Sequence, residues 1–122
     1  MISIEKEKDF QAVFTKLIRQ MWWWIYKIPD IWNVRKPFDT FISYKWNIKA
    51  VELKVAPTSK TNIKRLLKEH QIGNLKELYP NAFVLVYFKK EKASSLYQMK
   101  PNGNLEEIIH LKRLFVICDY LL

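Results

Sequence analysis

The chain has 122 residues, 49% of them hydrophobic and 15% aromatic, which is enough apolar material for one folded domain spanning residues 1–122 and excludes a disordered chain. Its formal charge of +9 points to a polyanionic partner. A lone cysteine, Cys118, excludes an intramolecular disulfide and a zinc site built from several thiolates, and it fits a reducing, cytoplasmic setting.

The first residues are charged, and the longest apolar run, Met21 to Tyr26, is far too short to cross a bilayer, so neither a signal peptide nor a membrane helix is expected. Apolar residues at helical spacing predict a helix over about 4–19, with Phe10, Phe14 and Leu17 on its stripe. An aromatic strand over 22–28 follows. Trp22, Trp24 and Tyr26 face one way on it and Trp23 and Ile25 the other, and both sets are expected in the core, one under the first helix and the other under the central helix. Trp32 and Trp46 fall in loops and are better placed to meet a nucleobase.

Residues 38–44 and 47–56 read as a hairpin, ending at Pro57. In its second strand Glu52 and Lys54 share one face, while Val51, Leu53 and Val55 share the other. A carboxylate and an ammonium on an otherwise apolar strand, with Asp39 at the start of the strand before, form a group able to bind a divalent cation and hold a positive charge beside it. That chemistry suits metal-assisted attack on a phosphodiester. A turn at Trp46-Asn47 would set Asp39 opposite Lys54, and a three-residue loop would set it opposite Leu53. An ordinary ion pair on a solvated strand face is the competing reading.

Next comes a helix predicted over about 61–79 and interrupted or bent at Gly73. Lys60, Lys64 and Lys68 recur every four residues with Arg65 beside them, a basic stripe suited either to a nucleic-acid backbone or simply to water. Between Lys45 and Lys76 stand eight lysines and arginines against Glu52 and Glu69 alone. His70 and His110 have no metal-binding spacing; both suit packing or hydrogen bonding, and His70 is also placed to touch nucleic acid. The run Phe83 to Phe88 lacks polar alternation, as a strand buried on both faces does. A strand over 96–99 ends at the turn-forming Pro101-Asn102-Gly103, and residues 105–110 read as a short helix. The apolar stretch 114–122 suits a core element or a subunit contact.

Asp39, then Glu52-x-Lys54 at the end of a hairpin, behind an amphipathic helix with a glutamate near its start, resembles the PD-(D/E)XK nuclease superfamily. The segment Leu67 to Ile72, Leu75 and the strand Phe83 to Phe88 are similar to RecU-type Holliday junction resolvases and their phage relatives. The resemblance covers roughly residues 5–100. It implies an α/β fold with a restriction-endonuclease-like α-β-β-β-α-β core, a central mixed sheet flanked by helices, and a homodimer that cuts branched DNA with Mg2+, for which Mn2+ can substitute. No small-molecule cofactor is implied. Carried onto this chain, Asp39 and Glu52 become the metal-binding carboxylates, Lys54 the catalytic lysine, Glu7 the helix glutamate and Gln71 the polar residue of the central helix facing the site. Glu7 is preferred to Glu5 because it borders the apolar stripe of its helix. The chain is short for a RecU-type resolvase and has no insertion able to form the stalk that enters a junction. The alternative reading is a non-catalytic nucleic-acid-binding module with a nuclease-like fold.

Overall fold

The computed structural model describes residues 4–27, 40–44 and 47–121. Asp9, in the first turn of α1 (Glu7–Gln20), accepts the backbone N–H groups of Lys6 at 3.1 Å and Glu5 at 3.2 Å, which fixes where that helix begins. Phe10, Phe14 and Ile18 then fall on one side and are fully buried. The helix closes with Trp22 N–H donating to the Arg19 carbonyl at 3.1 Å and Trp23 N–H to the Ile18 carbonyl at 3.2 Å. Between these bonds Trp22 adopts φ 65°, the left-handed conformation usually given to glycine at this place.

Among the described residues six strands form one sheet in chain order: β1 (Trp24–Lys27), β2 (Thr40–Tyr44), β3 (Asn47–Ala56), β4 (Ala82–Phe88), β5 (Ala93–Met99) and β6 (Leu105–Leu111). Every adjacent pair is antiparallel except β3 with β4, which is parallel. A parallel pair needs a crossover, and residues between β3 and β4 supply it with a 3-10 turn (Ile63–Leu66) and α2 (Glu69–Lys76). The last helix, α3 (Leu114–Leu121), buries Ile117, Cys118 and Leu121. Helices α1 and α3 share one face of the sheet with Ile42, Val51, Leu53 and Phe83. On the other face, Leu67 and Leu75 pack with Ala50, Val84, Val86 and Phe88. The protein is therefore α/β, a mixed sheet flanked by helices. No helix among the described residues is long and apolar enough to cross a membrane.

Four expectations change. The helix predicted over 61–79 divides at Leu67 and Lys68, both extended, because Gln71 Oε1 accepts the Lys68 N–H at 2.9 Å and caps a new helix there; Gly73 lies inside α2 without a break. Residues 105–111 form the edge strand β6, not a helix. Gly103 at φ 84° and the Lys100 N–H to Asn104 carbonyl bond of 2.9 Å turn the chain back along β5, and ladder pairing overrides the helical spacing. The hairpin pairs Tyr44 with Asn47 and Thr40 with Val51, a register other than either loop had suggested. Trp22, Trp24 and Tyr26 are not core residues: they are 85%, 79% and 61% exposed, because β1 is an edge strand and α2 packs over β4 and β5 instead. The 114–122 stretch, open between two roles, is a helix as far as Leu121 that buries Ile117, Cys118 and Leu121 and leaves Tyr120 exposed.

Candidate active site

Residues of β3 alternate between the faces: Val51 and Leu53 pack beneath α1 and Ala50 and Ala56 on the opposite side, from which Glu52 and Lys54 also leave the strand, Lys54 reaching back to Glu7 at the start of α1. The parallel neighbours of Glu52 and Lys54 on β4 are Val84 and Val86, both fully buried. In this apolar frame Glu52 is 1% exposed and Lys54 8%. The Lys54 ammonium stands 3.6 Å from Glu52 Oε2 and 3.6 Å from Glu7 Oε1, so two carboxylates from different elements converge on one cation. Glu52 and Lys54 are thus buried, not the solvated surface pair of the competing reading. Partial neutralisation offsets the desolvation that two buried charges incur.

Glu7, at the first turn of α1, has a half-exposed side chain, so the cluster opens to solvent on that side. Gln71 is buried on α2, with its carbonyl oxygen used by the Lys68 cap. Asp39 lies outside the described residues, as do Trp32 and Trp46. Its chain neighbour Thr40 is the first residue of β2: it pairs with Val51, the residue before Glu52, and its hydroxyl donates to the Val51 carbonyl at 3.2 Å. Among the described residues no group of three or more His, Cys, Asp or Glu side chains is gathered closely enough to hold a metal.

The basic residues are exposed but do not form one helical stripe. Lys60 precedes the 3-10 turn, Lys64 and Arg65 lie within it, and Lys68 caps α2. Lys64 Nζ approaches Asn104 Oδ1 at 3.4 Å, and His70 sits half-buried in the first turn of α2. A second basic group was missed by sequence reasoning: Lys89, Lys90 and Lys92, exposed in the β4–β5 hairpin. The Lys89 N–H donates to the Ala56 carbonyl at 2.9 Å and the Lys90 N–H to the Pro57 carbonyl at 3.0 Å, which hold this hairpin against the end of β3 just past Lys54. The Lys-Lys-Glu-Lys run after an apolar strand was the available signal.

A Ser-His-Glu grouping also occurs, with Ser95 Oγ 2.9 Å from Glu107 Oε1 and 2.5 Å from His110 Nδ1. It lacks the order of a nucleophilic triad, because the carboxylate meets the hydroxyl and not the imidazole. Ser95 is also fully buried, so the grouping is a cross-strand bond between β5 and β6.

No protein-family model matches the chain, and no curated protein matches it either.

Proposed function

We propose that this protein is a metal-dependent endonuclease of the PD-(D/E)XK type that hydrolyses phosphodiester bonds in branched DNA, such as Holliday junctions, as a homodimer. The observation that carries the reading is the burial of Glu52 and Lys54 side by side on β3 with the Glu7 carboxylate drawn to the same ammonium. The element order α1, β1, β2, β3, α2, β4 supports it, being the α-β-β-β-α-β order that the resemblance implied.

The donor chemistry fits Mg2+, a hard cation that takes carboxylate oxygens and keeps several waters. In this reading Glu52 and Asp39, the residue next to Thr40 in the chain, hold the ion. When bound, Mg2+ supplies Lewis acidity at a phosphate oxygen and lowers the pKa of a coordinated water. Lys54, held between two carboxylates, is a positioned cation: it neutralises charge that builds on the phosphate as water adds to phosphorus and the P–O ester bond breaks. Glu7 orients Lys54. Gln71, whose carbonyl oxygen is engaged by the Lys68 cap, would be the polar residue that the resemblance sets facing the site from the crossover. Lys60, Lys64, Arg65, Lys68 and His70 then bind the DNA backbone, together with the lysines of the β4–β5 hairpin.

The test is cleavage of labelled four-way junctions, flaps, nicked and plain duplexes in Mg2+, Mn2+ or EDTA. Cutting is expected only with metal, and Asp39→Asn or Glu52→Gln should abolish it while DNA binding persists. Lys54→Ala should lower the rate by about a hundredfold or more. Independently of activity, Mg2+ should raise the melting temperature of the native protein and not that of Glu52→Gln. Light scattering should give twice the chain mass of 14.8 kDa. Activity in EDTA, or in the Glu52→Gln variant, rejects the metal mechanism. Tight DNA binding with no cleavage under any condition leaves the binding-module alternative.

A further inference from the structure

The face of the sheet that carries Glu52 and Lys54 continues beyond α2 across β2 and β1. The pairing sets Trp24, Ser43 and Ile48 in one cross-strand row and Tyr26, Phe41 and Ala50 in the next, all on this face. Trp24, Tyr26 and Ile48 are exposed there. A hollow of about 210 Å³ lined by Phe41, Ile48, Ala50, Leu78 and Asn81 lies on the same shelf. A second hollow of about 340 Å³, lined by Arg19, Trp22, Trp23, Trp24 and Ile25, lies where α1 passes into β1; Trp23 and Ile25 belong to the opposite face, and Trp24 alone of these is on the shelf. Counting strand spacings and residue rises, Tyr26 stands roughly 12 Å from Glu52.

We propose that this shelf binds unpaired nucleobases, so that the DNA taken by the protein carries a single-stranded segment beside the bond to be cut. Exposed aromatic faces bind bases of any sequence by stacking, and guanidinium groups contribute next to them. Charge selects the occupant. Strands β1 and β2 carry no Asp or Glu, and the lysines flanking α2 lie on the same side of the sheet. A nucleic-acid strand brings charge of the opposite sign to that of a chain with charge +9. Trp22 adds an independent sign of function: a bulky residue in left-handed backbone, turned almost wholly to solvent, does nothing for the packing of the fold. The location of the cut rests on the nuclease reading of Glu52 and Lys54; the stacking does not.

The experiment measures anisotropy of labelled oligo-dT and of a duplex of equal length, in EDTA so that nothing is cleaved. Oligo-dT should bind more tightly than duplex and quench tryptophan fluorescence. Trp24→Ala and Tyr26→Ala should each weaken oligo-dT by about tenfold or more and leave duplex affinity unchanged. Trp22→Gly, which relaxes the backbone and so keeps the fold, should also weaken oligo-dT. Oligo-dT affinity unchanged in all three variants overturns the proposal, as does conversion of a dimer to a monomer by Trp24→Ala, which would make the shelf a contact between copies. Aromatic-dependent binding without cleavage in Mg2+ supports the shelf and rejects the nuclease. Cleavage with binding indifferent to the aromatics does the reverse.

Discussion

Trp22 occupies a position where the backbone asks for glycine. The left-handed conformation costs an ordinary residue about 1–2 kcal/mol, and little of this side chain is buried to offset it. Trp22→Gly removes that strain but gives the unfolded chain more freedom, worth about 0.4–1 kcal/mol in the opposite direction. The net expectation is a gain of roughly 0.5–1 kcal/mol, seen as a melting temperature higher by about 2–4 °C. Trp22→Ala keeps a β-carbon in the same conformation and should show no such gain. Calorimetry on the three proteins checks this, and equal melting temperatures for Gly and Ala would remove the strain argument. Other residues show what a sequence discloses. Glu52 and Lys54 were legible because they interrupt an apolar alternation on one strand. Glu7 entered the site only through the resemblance, because its meeting with Lys54 depends on how α1 lies over the sheet.

Among the elements, β4 was readable from its unbroken apolar run and α1 from its stripe. Leu105 to His110 was misread because Leu-Glu-Glu-Ile-Ile-His places Leu105, Ile108 and Ile109 at helical spacing, while only the turn at Gly103 and pairing with β5 make it a strand. The aromatic strand misled for a related reason: hydrophobicity reports affinity for a core, but position at the sheet edge decides whether one is present. Helix α3 brings a testable interaction. Lys49, on the α1 and α3 face, donates from Nζ to the Leu121 carbonyl and lies 5.9 Å from the Trp23 ring centre and 5.5 Å from that of Phe83. Burial lowers its pKa below 10.5, since the ammonium is partly desolvated. The folded protein therefore gives up this proton at lower pH than the unfolded chain. In the window between the lowered value and 10.5 the unfolded state holds more protons, so stability from this group rises with pH. Tyr97, raised above 10.0 by burial, acts in the opposite sense, but it is common to both proteins when native is compared with Lys49→Met. Denaturant titrations should show the native-minus-variant stability increasing toward pH 10.5. A flat difference would mean that the lysine is as well hydrated as in the unfolded chain.

At the scale of the molecule, the sheet is covered unevenly. Helices α1 and α3 share one face, while on the other α2 packs on β4 and β5, and the β1–β2 end carries the exposed aromatics. The layered α/β arrangement could be inferred from the order of apolar segments. The uneven cover could not, since an α2 of eight residues emerged only once the predicted long helix divided. This unevenness sets where the protein opens. Backbone amides of β3 and β4 lie in the central parallel pair between two packed cores, whereas β1, among the described residues, is an edge strand bonded to β2 alone. Local opening draws on the least supported segments, so hydrogen exchange at Ile25 and Tyr26 should be faster than at Leu53 and Leu85 by orders of magnitude. Addition of oligo-dT should slow exchange at β1 and leave β3 and β4 near their free rates. The carboxylate and lysine would then ride on the last strand to open, and the surface that first meets a single strand would belong to the first.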